Sequence, residues 1–337
     1  MRAYVIPAGN TAIDGLRRVD RPVPQPRAGQ LLVRVRAASL NRRDQAVTAG
    51  TYFGRPVTRD TIPLSDGAGE VTATGEGVTR FKPGDRVVAT YLQTPADGPP
   101  FADQASLGSP LDGTLADQIV VYENGLLPIP DGLSFEEAAC LPCAGVTAWN
   151  ALMVAGRTVR TGDTVLVLGT GGVSMFALQF ALAAGARVIV TSSSDAKIER
   201  VKALGASHGV NYTRNPEWHK EVLRITGGRG VDCVVEVGGV GTLERSFDSL
   251  AAGGKVGLIG VLTGRKAEIN PYALMWKEAS LHGIRVGDRQ MFERMNRAIE
   301  TNQIRPIVDT VFPFDDATGA FQYQASGRFI GKIVIRV

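Results

Sequence analysis

Hydrophobic and polar positions divide this chain into two patterns. Over the first 125 or so residues, short runs of alternating character are separated by glycine and proline, as in Leu31-Leu32-Val33-Arg34-Val35-Arg36-Ala37, residues 69–74 and residues 85–89. That spacing predicts a β-rich unit. Between Thr94 and Gly113 stand four prolines and three glycines among scattered polar residues, a composition that predicts a long surface loop. The pattern changes after Ile129-Pro130-Asp131-Gly132. Ser134-Phe135-Glu136-Glu137 reads as a capping box opening helical structure. From Asp163 onward strands and helices alternate: a strand at 165–168, a helix at 172–184, a strand at 187–191, a helix at 195–204, a strand at 231–237, a helix at 242–250 and a strand at 255–259. Strand, helix and strand in repetition predict parallel βαβ units, so the expected fold class is α/β. A helix at 291–301 precedes a last strand within 330–337.

Composition narrows the class of protein. Hydrophobic residues at 44% and charged residues at 21% are those of a folded chain and exclude a disordered one. A net charge of +4 with no basic run gives no reason to expect nucleic acid as a partner. Three cysteines cannot frame a disulfide-built fold, and the opening Met1-Arg2-Ala3-Tyr4-Val5-Ile6-Pro7 lacks the apolar core of a signal peptide, so a cytoplasmic location is expected. The most apolar stretch, 173–190, is interrupted by Gln179, Gly185 and Arg187 and is poor material for a membrane span.

The strongest chemical signal is Val165-Leu166-Val167-Leu168-Gly169-Thr170-Gly171-Gly172-Val173-Ser174, a strand running through a glycine turn into a helix. Val173, Phe176, Ala177, Phe180 and Ala181 recur at helical spacing, so one face is expected on a sheet with the helix start pointing outward. Amides at a helix start bind a pyrophosphate. Gly169 permits the turn, Gly171 lets phosphate approach, and Ser174 replaces the third glycine of a dinucleotide fingerprint. The next strand ends at Thr191-Ser192-Ser193-Ser194-Asp195, with no carboxylate at Ser192, where NAD-binding chains hold the ribose hydroxyls. Ser192, Ser193 and Lys197 suit the extra phosphate of NADP(H); the serines can equally cap the following helix, leaving Lys197 solvated.

Gly169-Thr170-Gly171-Gly172-Val173-Ser174, Pro142-Cys143-Ala144-Gly145-Val146-Thr147-Ala148-Trp149 and Gly185-Ala186-Arg187-Val188-Ile189 together resemble the medium-chain dehydrogenase/reductase superfamily over essentially the whole chain. The resemblance implies a GroES-like β-rich catalytic domain (1–127), a doubly wound Rossmann domain with its cleft facing it (128–287) and a C-terminal segment returning to the catalytic domain (288–337). It also implies a homodimer or tetramer. Zinc-dependent members carry a cysteine where this chain has Asn41 and a His-Glu pair where it has Ser65 and Asp66; only Cys143 keeps a ligand position. A catalytic zinc needs three cysteine, histidine or carboxylate ligands, so no metal is expected. Cys140-Leu141-Pro142-Cys143 falls within the helical segment and reads as buried cysteines before a redox pair.

Asn41 with Gly50-Thr51-Tyr52 resembles the zinc-free quinone oxidoreductase and enoyl reductase branches. The implied roles are Tyr52 as a hydrogen-bond or proton donor to a developing enolate, or as a residue that only shapes the cleft, and Asn41 as a group positioning substrate or nicotinamide ribose, or forming a turn before Asp44. Further implied cofactor contacts are Thr147, Gly169, Gly171, Gly172, Val173, Ser192, Ser193, Lys197, Tyr212, Gly238, Gly260, Val261, Arg285 and Val286. Lys332 either reaches the cofactor from the returning segment or is solvated. Tyr52, Phe53, Tyr91 and Trp276 form either an aromatic cleft or core. The expected function is NADPH-dependent, zinc-independent hydride transfer to a quinone or activated alkene. The alternatives are alcohol or aldehyde oxidoreduction and, in another class, a crystallin-like structural or RNA-binding relative.

Overall fold

A computed structural model describes residues 1–93, 105–264 and 266–337. These form two compact units, Met1–Ala144 with Asp288–Val337, and Gly145–Gly287. The first boundary therefore lies at 144/145, where the sequence suggested 127/128. The reason is packing: the helix Phe135–Ala138, opened by the expected Ser134–Glu137 capping box, lies against the strands Gln30–Ser39 and Asp66–Thr74.

The first unit is built on a seven-stranded sheet whose central strand, Gln30–Ser39, pairs antiparallel with Asp66–Thr74 along one edge. Its other edge is shared. The first half takes Gln118–Tyr122, and Ala37, Ala38 and Ser39 take the C-terminal strand Lys332–Arg336. Val33, Val35, Val71, Val87 and Val121 fill one core, while Ile6, Leu64, Phe321, Ile333 and Ile335 fill another. The loop expectation for 94–113 holds neither throughout nor wholly within view. Residues 94–104 lie outside the described residues, and Ala105–Ser106 is a short strand paired with Leu92–Gln93.

The second unit is a six-stranded, all-parallel sheet in the order His208–Asn211, Arg187–Ser192, Thr164–Leu168, Val231–Glu236, Leu250–Leu258, Ser280–Gly283. Its four inner strands were expected; the two short polar edge strands were not. Chain order reverses between Thr164–Leu168 and Val231–Glu236, and ligands of open parallel sheets bind beyond the carboxyl ends of strands at such a switch point. The helix Gly172–Ala183 departs from the predicted single apolar face. Met175 and Leu178 are buried along with Phe176, Ala177, Phe180 and Ala181, and Trp149 meets Phe180 edge-on at 5.5 Å. A helix apolar on most sides is buried on most sides.

Candidate functional site: a nucleotide crevice and a buried polar cluster

At the switch point, Gly169 adopts φ +71°, and a Cβ placed on Gly169 or Gly171 would meet nothing within 4 Å. The space beside both glycines is open. Met175 N–H makes the first helical bond, to Gly171 O at 2.9 Å, so the amides of Gly172, Val173 and Ser174 stand ahead of the ladder at the helix start. The Ser174 hydroxyl donates back to Leu168 O at 2.7 Å, which shows what replaces the third glycine: a small side chain tied to the strand it follows. This turn fits a dinucleotide pyrophosphate, which Gly169, Gly171, Gly172 and Val173 would hold.

Beyond the next strand, Ser192 is buried and its Oγ accepts from Ser194 N at 3.3 Å, whereas Ser193 is exposed. The cap of the following helix is Ser194, which accepts from Lys197 N at 3.4 Å. Tyr212, 43% exposed, donates its amide to Ser192 O at 3.1 Å, so the structure brings Tyr212 to Ser192. Two residues of this corner escaped the sequence reading. Arg214 forms an ion pair with Asp195, and Asn211 Nδ2 donates to the same carboxylate at 2.7 Å. The acidic side chain nearest the strand end is thereby paired with a cation.

At the far side of the switch point, Glu236 ends the strand Val231–Glu236 and is fully buried. One carboxylate oxygen accepts from Gly238 N (2.6 Å), Gly239 N (3.0 Å) and the Thr242 hydroxyl (2.7 Å); the other accepts from Ser246. Gly238 therefore spends its amide on Glu236, and its role is to shape this loop. Gly260 packs against Val237 O, and Val261 is half exposed. Thr147 is buried on the helix Val146–Trp149, and Arg285 is exposed. Val286 holds φ +81°, a strained conformation for a β-branched residue, and its carbonyl accepts from Asn150 Nδ2 at 2.6 Å. A carboxylate directly after the apolar run Cys233-Val234-Val235 was the signal for Glu236.

In the first unit the positions compared with zinc ligands do converge, but on a different chemistry. Lys332 is 3% exposed, so the solvated alternative is excluded. Its ammonium donates to Leu40 O and Asn41 Oδ1, both at 2.6 Å, and stands 3.8 Å from Asp66 Oδ2. Asn41 Nδ2 donates to Ser65 Oγ at 3.3 Å, Ser65 Oγ to Asp66 Oδ1 at 2.7 Å, and Cys143 N to Asp66 Oδ2 at 3.2 Å. Leu64, at φ +72°, turns Ser65 and Asp66 inward, and Gly113 leaves room for the Leu64 carbonyl. Amide, hydroxyl, one carboxylate already bonded, one cysteine and a buried ammonium do not fit zinc. Among the described residues no group of three or more His, Cys, Asp or Glu can hold a metal. Cys140 is buried, its thiol pushed up to about 12 by burial and donating to Glu136 O at 3.2 Å, which suits a core cysteine.

Beside this cluster Asn41 also caps the helix Arg42–Thr48, its N–H donating to Asp44 Oδ2 at 2.7 Å. Arg43 points inward. Its guanidinium donates to Leu107 O (2.9 Å) and Ser109 O (3.2 Å) and lies 5.0 Å from the Tyr52 ring and 5.1 Å from the Tyr91 ring. The two phenols meet at 3.4 Å. Burial holds the Tyr91 phenol well above its ordinary value despite Arg43, so at neutral pH it keeps its proton. Phe53 follows Tyr52 at 4.3 Å between ring centres, 71% exposed and at φ +52°. Tyr52, Phe53 and Tyr91 thus come together, whereas Trp276 belongs to the second unit and is 74% exposed.

Burial raises Asp44 to about 6, against the opposing pull of Arg43. The folded state then binds a proton that the unfolded chain has released between roughly pH 4 and 6, so this group's contribution to stability is lost as pH rises through that window. Asp44→Asn is accordingly expected to gain stability relative to the parent protein from pH 4 to pH 6. Urea midpoints at several pH values check it, and a difference that is flat or of opposite sign overturns it.

The sheet order and the nucleotide crevice define an NAD(P)-binding oxidoreductase fold. Residues 27–131 match the alcohol dehydrogenase GroES-like domain, and residues 172–301 match the zinc-binding dehydrogenase family. The chain is 44% identical to a zinc-type alcohol dehydrogenase-like protein of Schizosaccharomyces pombe, over 99% of each, and 29% identical to the quinone oxidoreductase of Rattus norvegicus, over 94% of this chain and 92% of that one. Among solved structures it resembles an NAD-dependent alcohol dehydrogenase (35% identity, all of both chains, TM-score 0.92) and a crotonyl-CoA carboxylase/reductase in complex with NADP (25% identity, 100% and 94% of the two chains, TM-score 0.88). The chain belongs to the medium-chain dehydrogenase/reductase superfamily.

Proposed function

We propose that this protein is an NADPH-dependent reductase that works without zinc and delivers hydride to a quinone or an activated C=C bond. The observation that carries the reading is that Asn41, Ser65 and Asp66, at positions where a metal-dependent relative needs free ligands, are bonded to one another and Asn41 to the buried Lys332. Bound NADPH would supply the hydride; the chain supplies orientation and a polar contact to the oxygen on which negative charge develops. Tyr52 is suited to that contact. Its oxygen is 3.4 Å from the protonated Tyr91, so Tyr52 can point its own proton at substrate while accepting from Tyr91. Asn41 is a positioning residue, its carbonyl oxygen fixed by Lys332 and its amide by Ser65. Preference for NADPH over NADH rests on Ser192, Ser193, Lys197, Tyr212 and the pairing of Asp195 with Arg214. A second reading, alcohol or aldehyde oxidoreduction, draws on the names of the relatives in S. pombe and among the solved structures.

We also propose a homo-oligomer and a cytoplasmic location. The edge strand Ser280–Gly283 carries Leu281 at 40% exposure, which supports pairing with a second copy, and three unpaired cysteines suit a reducing compartment. No helix among the described residues is long and apolar enough to cross a membrane.

The test is NADPH and NADH consumption by chelator-treated protein over quinones, enones and aldehydes, with product identification. Chelator-insensitive, NADPH-selective formation of quinol or saturated ketone is expected, and Tyr52→Phe should then lower kcat by about tenfold, the worth of one hydrogen bond to developing charge. Turnover that depends on added zinc, or that is confined to alcohols and aldehydes, overturns the reading.

A further inference from the structure

Phe53 combines two features that folding alone does not favour. It holds a left-handed backbone (φ +52°, ψ +24°), where glycine or asparagine is preferred, and it is an aromatic residue left 71% exposed to solvent. Its neighbours Thr51, Gly54 and Arg55 are exposed, so the turn gives it no core to join. What it does touch is Tyr52, at 4.3 Å between ring centres and a tilt of 54°. Tyr52 is in turn held in place: its ring lies 5.0 Å from the buried Arg43 guanidinium and its hydroxyl 3.4 Å from that of Tyr91. A strained, exposed aromatic beside a fixed phenol is a feature that a binding partner would explain. The partner's chemistry follows from the surface offered, which is one aromatic face adjoining one hydroxyl. That pair suits a flat conjugated ring bearing a carbonyl oxygen, the ring stacked on Phe53 and the oxygen within reach of Tyr52.

Resting on the reductase reading, we propose that Phe53 is a specificity-determining residue that selects a planar ring carbonyl, a quinone, over acyclic enones and aldehydes. Because Phe53 adjoins the reacting oxygen's partner without providing a proton or a charge, its contribution is to ground-state and transition-state binding alike and falls on KM.

The experiment compares Phe53→Gly, Phe53→Leu and Phe53→Trp with the parent protein, using menadione as the ring substrate and methyl vinyl ketone as the acyclic one. Loss of one aromatic stack predicts a KM for menadione raised about tenfold in the glycine and leucine variants, kcat changing less than about twofold, and a KM for methyl vinyl ketone rising less than about threefold. Phe53→Trp should keep the parent's selectivity. Phe53→Gly should melt at or above the parent temperature, because glycine relieves the left-handed strain; the leucine variant, which retains the strain and loses the ring, separates that effect from recognition. Equal changes with both substrates, or no change with either, overturn the proposal and leave the reductase reading standing. Menadione binding followed by quenching of intrinsic fluorescence, without nucleotide, distinguishes the other failure. Binding that depends on Phe53 but leads to no NADPH oxidation upholds the ring platform and overturns the reductase reading, and the absence of both binding and turnover overturns both.

Discussion

Gly171→Val is expected to lower nicotinamide dinucleotide affinity by about a hundredfold or more, roughly 2.7 kcal/mol, while leaving the protein folded. The two halves of that expectation have separate causes. Gly171 sits at φ −76°, ψ −175°, an extended conformation that valine adopts freely, and the position of its missing Cβ meets nothing within 4 Å. The fold therefore has room for the side chain; the expected cost is a poorer helix cap of about 1 kcal/mol. The room is where the pyrophosphate must approach the amides of Gly172, Val173 and Ser174, and a branched side chain there removes both space and hydration. NADPH fluorescence titration beside a thermal melt reads both halves. Unimpaired binding in a well-folded variant means that the nucleotide does not lie against this helix start. Gly169→Val makes a useful contrast, because φ +71° strains any side chain and should cost stability as well as affinity.

This crevice was legible in the sequence because each of its parts is local. A run of four apolar residues, a glycine turn and a helical period lie within twenty positions, and each restricts the others. The edge strands His208–Asn211 and Ser280–Gly283 were not legible, since they are short and polar and owe their extended form to neighbours: Ile189 opposite His208, and Lys255 opposite Ser280. The domain boundary shows the same limit. Residues 128–144 announce a helix through their capping box, but nothing in that pattern says which sheet the helix will cover. Arg214 was hidden because it acts on Asp195 across a turn, and Glu236 because a carboxylate at a strand end looks solvated until its four donors are counted. Asn41 was recognised as a position where a ligand is missing, yet its partner Lys332 lies 291 residues away and only the antiparallel pairing of Lys332–Arg336 with the strand ending at Ser39 brings them together.

That distant pairing leads to the second large effect. Lys332→Met should destabilise the protein by about 3–5 kcal/mol at neutral pH, the range for removing one partner of a buried ion pair, and thus a large share of an ordinary domain's 5–15 kcal/mol. Methionine matches the length of the stem, so the loss is electrostatic rather than a cavity. Without the ammonium, Leu40 O and Asn41 Oδ1 lose a donor at 2.6 Å and the fully buried Asp66 loses its cation. Burial already raises Asp66, with Lys332 as the principal opposing influence, so the substitution drives it further up. The variant then takes up a proton on Asp66 that the unfolded chain has given up above its ordinary value near 4. Its deficit should consequently shrink as pH falls toward that value, the opposite of simple acid denaturation. The double variant Asp66→Asn/Lys332→Met should be more stable at pH 7 than Lys332→Met alone, because it removes the stranded charge instead of exposing it to the core. Denaturant midpoints for the two single variants and the double across pH decide the matter. A cost below about 1 kcal/mol with no pH dependence would mean that Asp66 and Asn41 do not rely on this ammonium, and the case for a metal-independent cluster would lose its central member.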